Sequence, residues 1–200
     1  MAIKFKFENV DKGAWILLRQ AYNLIFRCED RVFSEYDLTT EQHTVLMAIK
    51  NISGPVRITD IAKWLDRSVN SVSMIIDRMV KAGLVRRTRD RKDRRTVFVT
   101  LTNKAEEAYV PATKAGWDLV EEILSPLSNE DKRTLIKLLE TIRDKTYDYL
   151  EPGGATEEVS VDDIVRMKRF KEQAAKYDPS STSKAKRGSG KRKRLQSKAS

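Results

Sequence analysis

The chain has 200 residues, 40% of them hydrophobic and 34% charged, with a formal net charge of +10. That length suits one fair-sized domain with appendages and excludes a pair of large enzyme domains, while the basic balance points to a polyanion, nucleic acid before an anionic membrane surface. No apolar run approaches a bilayer-spanning length, and a single Cys28 with a single His43 excludes an internal disulfide and a Cys/His zinc site. No metal or cofactor is expected, nor a membrane partner. Met1 to Phe7 alternates Lys with apolar residues but lacks the apolar stretch and small-residue cleavage site of a secretory signal, so a cytoplasmic protein is expected.

In chain order, Leu17, Ala21, Leu24, Cys28 and Val32 recur at helical spacing between Gly13 and Glu35, widened by Trp15, Leu18, Tyr22 and Ile25. Cys28 lies on that stripe and is read as a buried, inert thiol rather than a redox sensor. Thr39 with Gln42 spells a capping box for a second helix carried by Val45, Leu46 and Ile49 and stopped by Ser53, Gly54 and Pro55. A third helix is expected from Thr59 to Leu65, and a fourth from Ser68 or Val69 to Lys81 with Gly83 as its C-cap.

Leu84 to Thr88 and Thr96 to Leu101 are rich in β-formers and flank the charged run Arg89 to Arg95, which reads as a hairpin with a basic tip. Thr102 opens a long helix through Ile123, with a kink expected at Pro111. Ser128 and Asp131 cap a last helix carried by Leu135, Leu138, Leu139 and Ile142. Residues 151–178 are weakly amphipathic. Residues 179–200 hold eight Lys or Arg and no acidic residue, a composition that cannot fill a core and suits a disordered, polyanion-binding terminus.

The two helices between Thr59 and Lys81 carry the internal pattern of a helix-turn-helix: small Ala62 at the crossing, Ile61, Leu65, Val72 and Ile75 at the contact, and Asp66 at a tight turn where a left-handed residue is needed. With Val72, Ile75, Ile76 and Met79 turned inward, Ser68, Asn70, Ser71, Ser73, Met74 and Arg78 face outward. Asn bonds adenine bidentately, Ser bonds bases or phosphate, and Met lies against a thymine methyl. Ser68 reads equally well as a helix cap. At the hairpin tip Arg89, Arg91, Lys92, Arg94 and Arg95 repel one another unless phosphates or a narrow minor groove supply negative charge, with Asp90 and Asp93 as spacers. A solvated turn is the bland alternative. Catalysis lacks a motif: His43 has no recognisable nucleophile partner, and Gly188-Ser189-Gly190-Lys191 lacks phosphate-loop spacing.

Thr39 to Gln42 with Leu46, then Asp60-Ile61-Ala62, the run Asp77 to Arg87, Asp90 to Arg95 and Leu101-Thr102 together resemble the MarR family of bacterial winged helix-turn-helix regulators, over roughly residues 13–150. The family's common Gly after Leu-Thr and Lys is Ala105 here, and everything beyond Pro152 lies outside the pattern.

The resemblance implies a mainly α fold: a winged helix-turn-helix DNA-binding domain (37–101) and a helical dimerisation domain from an N-terminal helix (1–36) and C-terminal helices (102–150). It further implies a homodimer on double-stranded DNA carrying a palindromic operator, repression by promoter occlusion, and release by a small aromatic effector bound between the domains. Trp15, Tyr22, His43, Trp64 and Trp117 are the aromatic side chains available to such a pocket, though residues of this kind are more often plain core. The rival reading is an architectural protein that coats DNA without sequence preference, anchored by its basic terminus. Such a protein would expose Lys and Arg, rather than Asn70, Ser73 and Met74, on the second helix of the motif.

Overall fold

The computed structural model describes residues 8–89 and 96–150. Six helices and one hairpin follow in the order α1 (Val10–Ser34), α2 (Thr40–Asn51), α3 (Ile58–Trp64), α4 (Val69–Lys81), β1 (Val85–Arg89), β2 (Val97–Leu101), α5 (Asn103–Leu124) and α6 (Asn129–Leu150). They fall into two units that divide after Ile123, so α6 belongs to the second. The fold is mainly α with a winged helix-turn-helix at its centre, as expected.

Local chemistry sets most of the boundaries. Thr39 and Gln42 form the capping box of α2, with Gln42 N–H donating to Thr39 Oγ1 at 3.2 Å and Thr39 N–H to Gln42 Oε1 at 3.0 Å. Ser68 caps α4 and Ser128 caps α6, each accepting an amide from three residues on. Asp66, in the α3–α4 turn, has φ 51°, and Gly83, just past α4, has φ 71°. Both are the left-handed positions that the turn and the helix end require. Helix α1 starts at Val10 rather than near Gly13, because Asn9 Oδ1 accepts the Lys12 amide at 2.9 Å and supplies an earlier cap. Pro111 lies inside α5, which stays helical from Asn103 to Leu124.

The hairpin is antiparallel, pairing Val85 with Leu101, Arg87 with Val99 and Arg89 with Val97. A further bridge joins Phe98 to Arg57, and Val99 N–H donates to Val56 O at 2.8 Å, tying the wing to the segment before α3. That bridge has no sequence signature, since Val56 and Arg57 do not form a strand-length run.

The core runs through the helix-turn-helix and into α1, α2 and α5. Val45, Leu46, Ile61, Val72, Ile76 and Met79 are fully buried, and Ile75, Leu84, Val85 and Val99 nearly so. Each such side chain contributes about 1.5–3 kcal/mol by its removal from water. The upper end of the core is an aromatic stack. The His43 ring lies parallel to Phe33 at 4.1 Å between centroids and to Tyr109 at 5.4 Å. Gly116 allows α5 to approach this stack, because a Cβ there would meet the Phe33 ring at 3.1 Å. Thr113 Oγ1 donates to Tyr109 O at 2.7 Å, so its lone pair accepts from His43 Nε2–H at 3.0 Å, which fixes the neutral Nε2–H tautomer.

Two expectations about α1 are corrected. Cys28 is exposed rather than buried, and Trp15 and Tyr22 are each 60% exposed rather than core. Leu17, Leu24 and Ile25 on the same helix are also exposed in the single chain. Helical periodicity correctly identified an apolar face, but within one chain only its end, at Val32 and Phe33, reaches the core. In the second unit, α6 has no buried residue and exposes Ile136, Leu138, Leu139 and Ile142.

Burial lowers the His43 pKa from 6.5 to about 4. The folded state therefore holds the ring neutral while the unfolded chain takes up a proton as pH falls. Stability from this site is complete above pH 6.5 and is lost as pH drops towards 4, by up to about 3 kcal/mol. Denaturant unfolding of the wild type and of His43→Phe at a series of pH values checks this. The wild type should lose that amount relative to the variant across the window, whereas a pH-independent difference would contradict a neutral buried ring.

Candidate nucleic-acid interface

Helix α4 is built so that one side cannot turn outward. Val72, Ile75, Ile76 and Met79 recur at three- and four-residue spacing and are all buried. The opposite side therefore faces solvent. Ser68, Asn70, Met74 and Arg78 are exposed, Met74 at 66%, while Ser71 and Ser73 are half-buried. Asn70 and Met74 thus lie opposite the buried stripe in the N-terminal half of α4, flanked by Ser71 and Ser73, with Ser68 at the N-cap and Arg78 in the last turn. Met74 takes no part in the buried core of this chain.

Ser68 is committed to capping, its Oγ accepting the Ser71 amide at 3.2 Å. Both roles considered for it are compatible, because a hydroxyl keeps a donor free while it accepts. Of the wing residues, Arg89 ends β1 and is exposed. Arg91, Lys92, Arg94 and Arg95 lie outside the described residues.

Two ionic braces that the sequence alone does not reveal hold this surface in place. Glu41, on α2, accepts from Arg67 Nη1 at 3.2 Å through Oε1 and from Arg78 Nη2 at 3.1 Å through Oε2, linking α2 to the turn and to α4. On the wing side, Arg87 Nη1 pairs with Asp77 Oδ1 at 2.6 Å, and Arg87 Nη2 donates to Ser73 Oγ at 3.4 Å and Ser73 O at 3.5 Å. Strand alternation explains the second brace. Arg87 shares a face with Val85 and sits opposite buried Val99, so its stem follows the core side of the hairpin and its guanidinium reaches α4. The only advance signal for it was this period-two placement after Val85. These partly exposed pairs add little stability, and their effect is geometric.

Of the aromatic residues considered for an effector pocket, His43 belongs to the buried stack, Trp64 and Trp117 are half-buried, and Trp15 and Tyr22 face solvent. Among the described residues no cluster of His, Cys, Asp or Glu could hold a metal ion, and no helix is long and apolar enough to cross a membrane.

Comparison with known proteins bears on the family and the fold. A sequence profile of the MarR family matches residues 36–96, which span the motif and most of the wing. The chain is 33% identical over 110 residues to the HTH-type transcriptional regulator MgrA of Staphylococcus aureus, covering 55% of this chain and 73% of that one. The organohalide-sensing regulator RdhR-CbdbA1625, solved with 2,4-dichlorophenol bound, shares the fold at a TM-score of 0.66 with 23% identity, over 74% of this chain and 92% of that one. MarR from E. coli, solved as a cysteine-to-serine variant with operator DNA, matches at a TM-score of 0.54 and 26% identity, over 65% of this chain and 96% of that one. The extent of the MgrA likeness, the profile match across the helix-turn-helix and the shared winged fold place the chain in the MarR family of DNA-binding transcriptional regulators.

Proposed function

We propose that this chain is a sequence-specific repressor that binds a palindromic operator as a homodimer in the cytoplasm and releases it on binding a small aromatic effector. The observation that carries the specific reading is the outer face of α4. Ser68, Asn70, Ser71, Ser73 and Met74 form a polar, largely uncharged surface of base-reading types, with Arg78 at its end. A protein that only coats DNA would place cations there. Arg89, Arg91, Lys92, Arg94 and Arg95 then supply minor-groove and phosphate contacts from the wing.

Homodimerisation is supported by the apolar side chains that a single chain leaves in water on α1 and α6, among them Leu17, Leu24, Leu138 and Ile142. Faces of this kind are covered in a stable protein. They would form the dimerisation domain from the two ends of the chain, with residues 37–101 as the DNA-binding domain. A two-fold dimer places two copies of α4 in successive major grooves, hence an inverted repeat with half-site centres about 10 base pairs apart. The effector rests on analogy with the regulator solved with 2,4-dichlorophenol.

Selection from a random-sequence duplex library, followed by anisotropy titration of the enriched duplex against a scrambled one at stated salt, tests this reading. An inverted repeat bound many-fold more tightly than the scramble is expected, and equal binding would favour the architectural rival. Asn70→Ala should remove about 1–3 kcal/mol of discrimination at one base pair per half-site, as for a bidentate contact, and Ser73→Ala about 0.5–1.5 kcal/mol, as for a single hydrogen bond.

The eight cations in residues 179–200 are read as a phosphate-binding element that adds affinity for any DNA. Ending the chain at Pro152 should flatten the dependence of log K on log salt, by about 0.9 for each phosphate that is no longer neutralised, and leave the preference for the selected duplex intact. Lost preference would contradict that division of labour.

A further inference from the structure

On the reading of α4 as a base-contacting helix, we propose that Arg87 is a positioning residue that makes Ser73 a hydrogen-bond donor to base acceptors, with Asp77 holding Arg87 in place. A serine hydroxyl alone is an ambiguous reader, since it has one proton to give and two lone pairs to offer. Arg87 biases the choice. Its guanidinium carries only donors, and Nη2 lies 3.4 Å from Ser73 Oγ and 3.5 Å from Ser73 O, so it engages one of the two lone pairs of the hydroxyl and sets a positive charge beside the other. A base amino group, itself a donor, is repelled by that charge, so the hydroxyl proton is favoured for the base edge, towards purine N7, guanine O6 or thymine O4.

Asp77 completes the device. It stands four residues after Ser73, on the same side of α4, and takes Arg87 Nη1 at 2.6 Å. The guanidinium is thus held along one turn of the helix by its carboxylate at one end and by Ser73 at the other. Its stem is fixed by β1, where Arg87 sits opposite Val99. An acidic side chain on a DNA-facing helix opposes binding to a polyanion, and its one base partner, the cytosine amino group, would compete with Arg87 for the carboxylate, so Asp77 is explained most simply as the anchor of Arg87.

Asp77→Asn separates these roles because it removes a negative charge near the DNA. Acting only through charge, it would tighten binding to every duplex. Acting through Arg87, it would relax preference at the base pair read by Ser73, identified as the one at which Ser73→Ala loses discrimination. The experiment measures anisotropy of the wild type, Asp77→Asn, Arg87→Gln, Arg87→Lys and the Asp77→Asn/Arg87→Gln double variant. The duplexes are the library-selected one, its single-base-pair substitutions and a scramble, across a salt series, with thermal unfolding of each variant by circular dichroism.

We expect all the single variants to lose roughly tenfold in discrimination at that one base pair, the double variant to lose no more, and the salt slope of Arg87→Gln to match wild type. Arg87→Lys keeps the charge but cannot bridge Asp77 and Ser73 together, so it should lose discrimination while staying folded. Arg87→Gln weakening all duplexes alike with a slope shallower by about 0.9 would make Arg87 a phosphate-binding residue and overturn the proposal. So would wild-type discrimination in Asp77→Asn or Arg87→Lys. A wild type that fails to distinguish the selected duplex from the scramble would overturn the base-reading function itself, whereas a discriminating wild type with unaffected variants overturns only the role of Arg87.

Discussion

The burial of Val72, Ile75, Ile76 and Met79 is the constraint on which the rest of the DNA-facing structure depends. An α-helix turns 3.6 residues per revolution, so fixing four inward side chains fixes the rotation of α4 about its axis and with it the direction of every other side chain. Asn70 and Met74 are exposed because they lie opposite that stripe. The turn at Asp66 and the cap at Ser68 set where the helix begins, while Glu41 and Arg87 brace it from α2 and from the wing. Interior packing thus does the larger part of presenting a reading surface, and the ionic braces only refine it.

The aromatic stack of Phe33, His43 and Tyr109 performs the matching task at the other end of the core. It joins α1, α2 and α5 through one neutral imidazole whose remaining ring proton is held by Thr113. Gly116 gives α5 the close approach that the stack needs. Beyond this point α1 carries its apolar residues into solvent, so the first unit has a well-filled core on one side and an uncovered stripe on the other. The proposed homodimer accounts for that asymmetry, since a second chain is the simplest cover for a stripe with Trp15, Leu17 and Leu24 on it.

Sequence made the local elements legible. The capping box at Thr39, the left-handed Asp66, the cap at Ser128 and the four-residue rhythm of α4 are each written within a few residues, and the structure reproduces them. What was missed is of two kinds. Partners far apart along the chain, such as Glu41 with Arg67 and Arg78, or Arg87 with Asp77, become neighbours only after the helices pack, and no local pattern encodes the pairing. Burial on α1 was misjudged for a different reason: periodicity tells which side chains share a face but not whether the same chain covers it. Cys28, Trp15 and Tyr22 all fall under that ambiguity. The outer face of α4 escaped it because the inward stripe was itself unambiguous.

Dimethyl sulfate footprinting on the selected duplex tests the central claim, that the outer face of α4 reads the major groove, most directly. The reagent methylates guanine N7 in the major groove and adenine N3 in the minor groove, so one reaction reports both. The account predicts N7 protection in two half-sites about one helical turn apart, weakened by Asn70→Ala and Ser73→Ala, with adenine N3 protection where the wing enters. Protection confined to adenine N3, or N7 protection unchanged by those substitutions, would show that α4 is not the reading element.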